Sequence, residues 1–281
     1  TQHVDSEFLG QGRGEGDLQF HRVAGNSIES PRLLLNSASS MFPDGLANSS
    51  GQVGKNYMCH TSTGIYAVMP EKVRMFRGTS VAGVVGDDVK HDPGRGFNGG
   101  YFLEFLSLGL PFMAAFLEPG NTGWGRSFSR AMEQYDQMSG VWALGEDLAQ
   151  EQNAITLHGS EVDQHGLPVP IVAKTPHNND HAMTAHMVES TSQIYESVGA
   201  TDIYELPPYP ASHNMGTNRM HADASKGVVN AHGQSHDIDN LFVSDGSQFT
   251  SSAACNPTLT IVALAIRQAE YIAQEMNAQN I

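Results

Sequence analysis

Cysteine is scarce in this chain. Cys59 and Cys255 are the only two among 281 residues, and they lie far apart without a CxxC spacing. This excludes a disulfide framework and a cysteine-rich zinc site. His177 and His181 have the spacing of two metal ligands on a helix, but no third ligand accompanies them in the sequence, so we expect a solvated helix start and no metal site.

Basic residues are also few. Fifteen Lys and Arg stand against thirty Asp and Glu, which leaves a formal net charge of −15. Such an acidic surface repels phosphate backbones, so we expect no nucleic-acid partner. Hydrophobic residues make up 40% of the chain, which is enough to fill the core of a globular protein.

A long hydrophobic run is missing as well. The most apolar stretch, residues 102–117, is interrupted by Glu104, Gly109 and Pro111, and it is shorter than the roughly 20 apolar residues that cross a bilayer. We predict no transmembrane span and expect this stretch to be buried or to face a partner. No signal peptide is visible in the chain, and the compartment stays open between cytoplasm and periplasm.

Local patterns predict alternating strands and helices. Residues 18–35 indicate a strand, a tight turn at Ala24–Gly25 and a helix that begins near Ser30–Pro31. The Ser-, Gly- and Asn-rich residues 37–54 predict a surface loop, and residues 61–100 predict strands and turns.

The middle of the chain predicts two helices and a hairpin. Trp124, Phe128, Met132, Tyr135 and Met138 recur at spacings of four, four, three and three, which predicts one packed helix face. Residues 154–173 indicate a hairpin that turns at Gly166. A helix capped by Asn179 or Asp180 and ending at Gly199 follows.

The last part of the chain carries two signals of possible chemistry. Residues 240–249 form a short apolar run closed by Asp245–Gly246, and residues 255–276 predict a helix with Asn256 as N-cap, Pro257 in the first turn and an apolar face. That apolar face comprises Ile261, Ala265, Ala269 and Ile272, widened by Leu264 and Ile266. The first turn of a helix suits an anion or an electron-rich ring. The alternative is that Asn256–Pro257 only caps a structural helix.

His213 is the second signal. It precedes a Gly216–Thr217 turn, and a histidine on a tight loop can act as a general base near neutral pH. Because the chain has thirteen histidines, a bystander role remains the alternative.

Taken together, residues 23–35, 213–220 and 240–260 resemble the glucose–methanol–choline (GMC) family of FAD-dependent oxidoreductases, and within it the bacterial alcohol and sugar dehydrogenases. The resemblance covers residues 20–60 and 205–280 at motif level. It implies an α/β (α+β) fold that contains the C-terminal part of a Rossmann-like FAD-binding domain. An inserted substrate domain with an antiparallel sheet and flanking helices would complete it. The implied segments are residues 1–58 of the FAD domain, 59–208 of the substrate domain, and 209–281 with the histidine loop and the rest of the FAD domain.

The resemblance also implies roles for individual residues. His213 corresponds to the histidine that takes the substrate hydroxyl proton during hydride transfer to flavin N5, and Asn256 to the residue that hydrogen-bonds the substrate oxygen.

The implied FAD-binding residues occur in three places. Ala24–Gly25 would pass the ADP half, and Asp245–Gly246 would approach the pyrophosphate and ribityl chain. Asn256, Pro257 and Thr258 would offer the helix start to the pyrimidine side of the flavin.

One departure from the family concerns its first motif. The strand–GxGxxG–helix unit that seats the FAD pyrophosphate is absent, because residues 10–16 lack the third glycine in register and continue into a predicted strand. We predict a hairpin turn there. The chain thus resembles the C-terminal half of a family member, and a separate N-terminal half, as another chain or fragment, is the expected partner. Without it, sheet edges and the cofactor-facing surface would be exposed.

The resemblance leaves other questions open. The expected substrate is an alcohol or a sugar, and the electron acceptor could be oxygen, a quinone or an electron-transfer protein. Two alternatives to this oxidation stand: a non-catalytic half that completes a split assembly, and a lyase on the same fold.

Overall fold

The computed structural model describes residues 20–106, 124–206 and 211–281, together with Gly109, Ala115 and Leu117. The hairpin turn predicted at residues 10–16 and most of residues 107–117 lie outside these described residues. The strands, β1 to β11 in chain order, are His21–Val23, Met58–Cys59, Thr61–Val68, Val81–Val85, Tyr101–Leu106, Met138–Gly145, Ala154–Val162, Pro168–Ala173, Asp202–Glu205, Asn214–Met215 and Leu241–Val243. Helices α1 to α4 are Asn26–Asn36, Arg126–Glu133, Asn178–Ser197 and Thr258–Asn277. This mixture of helices and antiparallel sheets confirms the predicted fold class.

A parallel strand pair joins the two ends of the described chain. Strand β1 pairs with β11 in the register Val23↔Val243, and α1 follows β1 directly. Leu34 of α1 is fully buried in the same core as these two valines. The predicted order of strand, turn and helix is therefore confirmed.

The start of α1 differs from the sequence prediction. The helix begins at Asn26, and Pro31 lies inside it. The helix starts one turn earlier than predicted because Asp245, distant in sequence, accepts hydrogen bonds from the Asn26 backbone N–H and from the Ser30 hydroxyl. No local pattern carries that information.

A five-stranded antiparallel sheet forms the centre of the chain, in the order β4-β5-β6-β3-β9. All eight residues of β3 are buried. Ile65 and Ala67 belong to the core on one side, where α3 packs, whereas Tyr66 and Val68 belong to the core on the other. Alternation along β3 therefore places the strand between two apolar layers.

The helix predicted over residues 124–138 is wrong in extent. Helix α2 covers only Arg126–Glu133, and Met138 opens β6, where it pairs with Val68. Trp124 is 77% exposed, so the regularly spaced apolar residues do not form one packed helix face. Pairing within the sheet overrides the local periodicity here.

The predicted hairpin at residues 154–173 is confirmed as β7 and β8, with Gly166 in the left-handed region at φ +78°. Arg32 attaches this hairpin to α1. Its guanidinium lies 2.7 Å from Asp163 Oδ2, and its Nε donates to the Pro168 carbonyl at 2.9 Å.

The start of α3 also differs from the sequence prediction. Its N-cap is His177, whose Nδ1 accepts from the Asn179 N–H, and Asp180 accepts from the His177 N–H in return. This is a reciprocal capping box in which a histidine takes the place of the predicted cap. The helix ends at Ser197, ahead of Gly199 at φ +84°, close to the predicted end.

Within the part of the chain that the structure describes, no helix has the length and apolar character needed to cross a membrane.

Candidate active site

The turns after β1 and β11 leave the same edge of the parallel pair. Ala24–Gly25 follows β1 and is exposed, whereas Asp245–Gly246 follows β11 and is buried. The Asp245 carboxylate caps α1, with Oδ2 3.0 Å from the Asn26 nitrogen, and Oδ1 accepts from the Ser247 N–H. The structure thus brings these two predicted cofactor turns together. Both oxygens of the Asp245 carboxylate accept hydrogen bonds from this chain's own backbone.

The loop that carries His213 is held against the turn after β11. Asn214–Met215 pairs with Met58–Cys59 as β10 and β2, and the Gly216 N–H donates to the Gly246 carbonyl at 3.1 Å. Gly216 has φ +94°, and a Cβ there would lie 2.3 Å from the Asn56 carbonyl oxygen. Only glycine fits this turn, which fixes the chain that follows His213.

His213 contacts a second histidine. The Nδ1 atoms of His213 and His60 are 3.0 Å apart, and the two rings meet edge to face at 5.0 Å between centroids. His213 is half-buried, while His60 is 1% exposed. Burial lowers the pKa of His213, although the negative charge of Glu104 opposes that shift.

Asn256 makes a different contact from the one predicted. The N-cap of α4 is Pro257, which has no side-chain capping bond. The Asn256 amide instead donates from Nδ2 to Glu104 Oε1 at 2.8 Å. Glu104, on β5, therefore binds the Asn256 amide and also raises the pKa of His213.

An apolar cluster holds these parts in place. Phe102 and Leu144 of the sheet pack with Ala211, shortly before His213, and with Ala254, shortly before Asn256. The five-stranded sheet and both loops therefore share one small core.

The first turn of α4 is open. Pro257 is buried, Thr258 is exposed, and Leu259 is 81% exposed. Without a capping side chain, the first-turn N–H groups and the positive end of the helix dipole suit an electron-rich ring. This donor set fits the pyrimidine side of a flavin.

The inner face of α4 differs in part from the predicted apolar face. Ile272 is buried, and Ile261, Leu264 and Ala265 are half-buried, as predicted, but Ala269 and Ile266 are exposed. Buried Gln268 takes a place on the inner face, where its amide donates to the Val243 carbonyl at 2.8 Å. The hydrogen bond to the backbone satisfies the amide nitrogen of this buried polar side chain.

Two residues of the site escaped the sequence analysis. Glu104 was visible only as a charge inside the apolar stretch 102–117, and such a lone carboxylate is a signal worth following. His60 had no comparable signal, because its role depends on a contact with a residue 153 positions away.

Comparison with known proteins adds the family. Residues 149–265 match the family model described as GMC oxidoreductase, its C-terminal part. The chain is 36% identical over 274 residues to a 2-methyl-1,2-propanediol dehydrogenase from Mycolicibacterium austroafricanum, covering 94% of this chain and 50% of that protein. It is 28% identical over 282 residues to the fructose dehydrogenase large subunit of Gluconobacter japonicus, covering 92% and 49%.

Solved structures share the fold. Pyridoxine 4-oxidase from Mesorbium loti superposes with a TM-score of 0.63 at 17% identity, covering 91% of this chain and 51% of that one. The chain belongs to the GMC oxidoreductase family and contains its C-terminal domain. It spans about half the length of the curated relatives it matches.

Proposed function

We propose that this chain supplies the catalytic residues of an enzyme that oxidises an alcohol or sugar hydroxyl to a carbonyl with FAD. The observation that carries the proposal is the grouping of His213, Asn256 and Glu104 beside the open first turn of α4. The names of two relatives, a diol dehydrogenase and a fructose dehydrogenase, support the substrate class.

His213 acts as the general base. Burial lowers its pKa below the ordinary value of 6.5, so the neutral imidazole predominates at pH 7 and can take the hydroxyl proton. Bound flavin would accept the hydride from the carbinol carbon at N5.

Asn256 orients the substrate oxygen. An amide nitrogen carries two N–H groups, and one of them is used by Glu104. The other donates to the substrate oxygen, so Glu104 holds Asn256 in the orientation that the reaction needs.

The FAD would be held by Ala24–Gly25, Asp245–Gly246 and the start of α4 at Asn256, Pro257 and Thr258. The first-turn N–H groups of α4 would stabilise negative charge that gathers on the ring. These residues offer no GxGxxG unit for the pyrophosphate, so an N-terminal FAD-binding half has to supply it.

That half is the proposed partner, as a separate chain or as a further part of the same protein. The relatives are about twice as long as the matched region. Leu259, Val262 and Ile266 are exposed along α4, and burying them against the partner would remove apolar surface from water. We also propose that residues 1–58 and 209–281 belong to the FAD domain and residues 59–208 to the substrate domain. A quinone or an electron-transfer protein is the proposed electron acceptor.

The test is anaerobic reduction of the flavin in the assembly that contains this chain. A panel of alcohols and sugars is mixed with the purified protein, and bleaching of the flavin absorption is followed. We expect at least one of them to bleach the flavin. The proposal fails if none does. Cleavage of a hydroxynitrile without bleaching would instead indicate the lyase alternative.

The residue assignment has its own test. His213→Ala is expected to slow flavin reduction by about 10²-fold or more, the usual contribution of a positioned base. His181→Ala is the matched control, because His181 is exposed on α3, and it should leave the rate unchanged. An unchanged rate in His213→Ala would remove His213 from the mechanism.

A further inference from the structure

We propose that His60 is a positioning residue that fixes the proton of His213 on Nδ1 and keeps Nε2 free as the base. This inference rests on the proposed function of His213. It uses a buried histidine that lies between β2 and β3, beneath the active-site loop.

The far side of the His60 ring faces a backbone carbonyl. His60 Nε2 lies 3.3 Å from the Ser252 carbonyl oxygen. A carbonyl oxygen only accepts hydrogen bonds, so this contact requires the proton of His60 to sit on Nε2. A neutral imidazole carries a single N–H, and His60 Nδ1 is therefore an acceptor.

The other side of the His60 ring faces His213. Its Nδ1 lies 3.0 Å from His60 Nδ1, and because His60 Nδ1 accepts, His213 Nδ1 must donate. In neutral His213 the lone pair then lies on Nε2. This is the tautomer in which Nε2 can take a proton from a substrate.

His60 is neutral, and the Ser252 carbonyl that it binds is held in place. Burial lowers the pKa of His60 to about 4, so it is uncharged at pH 7. The Ser252 carbonyl is held by its own side chain, because Ser252 Oγ accepts from the Asp147 N–H at 2.8 Å and donates to the Asp147 carbonyl at 3.1 Å.

The charged groups around the pair are consistent with this arrangement. Glu104 faces His213 from β5, and its negative charge raises the pKa of that histidine. Asp147 lies behind Ser252 and forms an ion pair with Lys174 at 2.9 Å. His60 therefore presents His213 with a neutral acceptor, which holds the ring in orientation both before and after His213 takes a proton.

The first test reads the tautomer directly. The flavin-loaded assembly is labelled with ¹⁵N-histidine, and the His213 signals are assigned as those lost in His213→Gln. At pH 7.5 we expect a protonated Nδ1 and an unprotonated Nε2. A proton on Nε2 overturns the proposal. This readout needs no substrate, so it stands apart from the test of alcohol oxidation.

The second test uses two substitutions of different chemistry. The amide oxygen of His60→Asn can take the place of Nδ1 as an acceptor, whereas His60→Leu fills the buried site but removes the acceptor. We expect His60→Leu to slow flavin reduction by roughly 10- to 100-fold, the loss seen when a metal-ligating histidine loses its orienting hydrogen-bond partner, with substrate affinity little changed. His60→Asn should recover most of that loss.

Equal rates in His60→Asn and His60→Leu would overturn the proposal, as would a His60→Leu rate within twofold of the unmodified protein. If His60→Leu does not fold, the tautomer of the unmodified protein decides. If no alcohol or sugar reduces the flavin, the proposed function fails, while the ¹⁵N signals still test His60.

Discussion

The hydroxyl of Thr217 donates a hydrogen bond of 2.8 Å to the carbonyl of Ser27. Ser27 lies four residues before Pro31 in α1, and proline has no N–H to give to that carbonyl. Thr217 follows the glycine turn of the His213 loop and is fully buried. Thr217 therefore satisfies the carbonyl that the proline leaves without an N–H partner, and it connects the loop that carries His213 to α1.

This relationship predicts the effect of Thr217→Val. The substitution keeps the shape of the side chain but leaves the buried Ser27 carbonyl without a partner, so the free energy of unfolding should fall by about 1–3 kcal/mol. Chemical denaturation measures this loss. Thr217→Ser keeps the hydroxyl and is the matched control for the hydrogen bond.

Pro31→Ala provides a second arm, because it restores an N–H that can reach the Ser27 carbonyl. Thr217→Val should therefore cost less stability in the Pro31→Ala protein than in the unmodified one. Identical costs in both proteins would show that Thr217 and Pro31 are not coupled.

Asn256→Ala is expected to lower the rate of flavin reduction by about 10²-fold, since removing a donor to a reacting oxygen commonly costs that much. Stopped-flow absorbance under anaerobic conditions measures it. Cys255→Ser is the neighbouring control, because Cys255 is exposed. A change in substrate affinity alone would mean that Asn256 binds without assisting the reaction.

Glu104→Gln isolates the effect of charge. The glutamine can still accept from Asn256, but the negative charge that raises the pKa of His213 is gone. Because burial then acts unopposed, the pKa of His213 should fall further below 6.5. The rising limb of the pH–rate profile belongs to the deprotonated base, so it should move to lower pH. A limb that stays at the same pH would show that the charge of Glu104 does not act on His213.

Lys174→Met tests the buried ion pair under the site. The Asp147 side chain is fully buried, and its pKa is raised by burial while Lys174 lowers it. Without Lys174 the carboxylate is left uncompensated, which should cost about 3 kcal/mol of stability at pH 8.

The pH dependence of that loss follows from the direction of the shift. Asp147 in the variant binds its proton more tightly when folded than when unfolded, so folding becomes more favourable as pH falls from 8 to 5. The difference between the variant and Lys174→Arg should shrink over the same range. A difference that stays constant with pH would contradict this assignment.

The sequence predicts the elements whose signals are local. The hairpin around Gly166 and the strand, turn and helix after residue 20 follow from turn residues and apolar spacing. The errors occur where contacts with distant residues determine the structure. Met138 joins a strand because it pairs with Val68, and Asn256 lies one residue before the N-cap, where its amide binds Glu104. The histidine pair was invisible for the same reason, since no spacing in the chain relates residue 60 to residue 213.

The start of α1 depends on residues that are made much later. The Asn26 N–H donates to Asp245, the Ser27 carbonyl accepts from Thr217, and β1 pairs with β11. At a synthesis rate of about 5–20 residues per second, the ribosome needs roughly 10–45 seconds to deliver those partners. During that interval Leu34 has only the neighbouring part of its core, Leu46, Ala47 and Val53, to pack against, so the packing of α1 is completed late in synthesis.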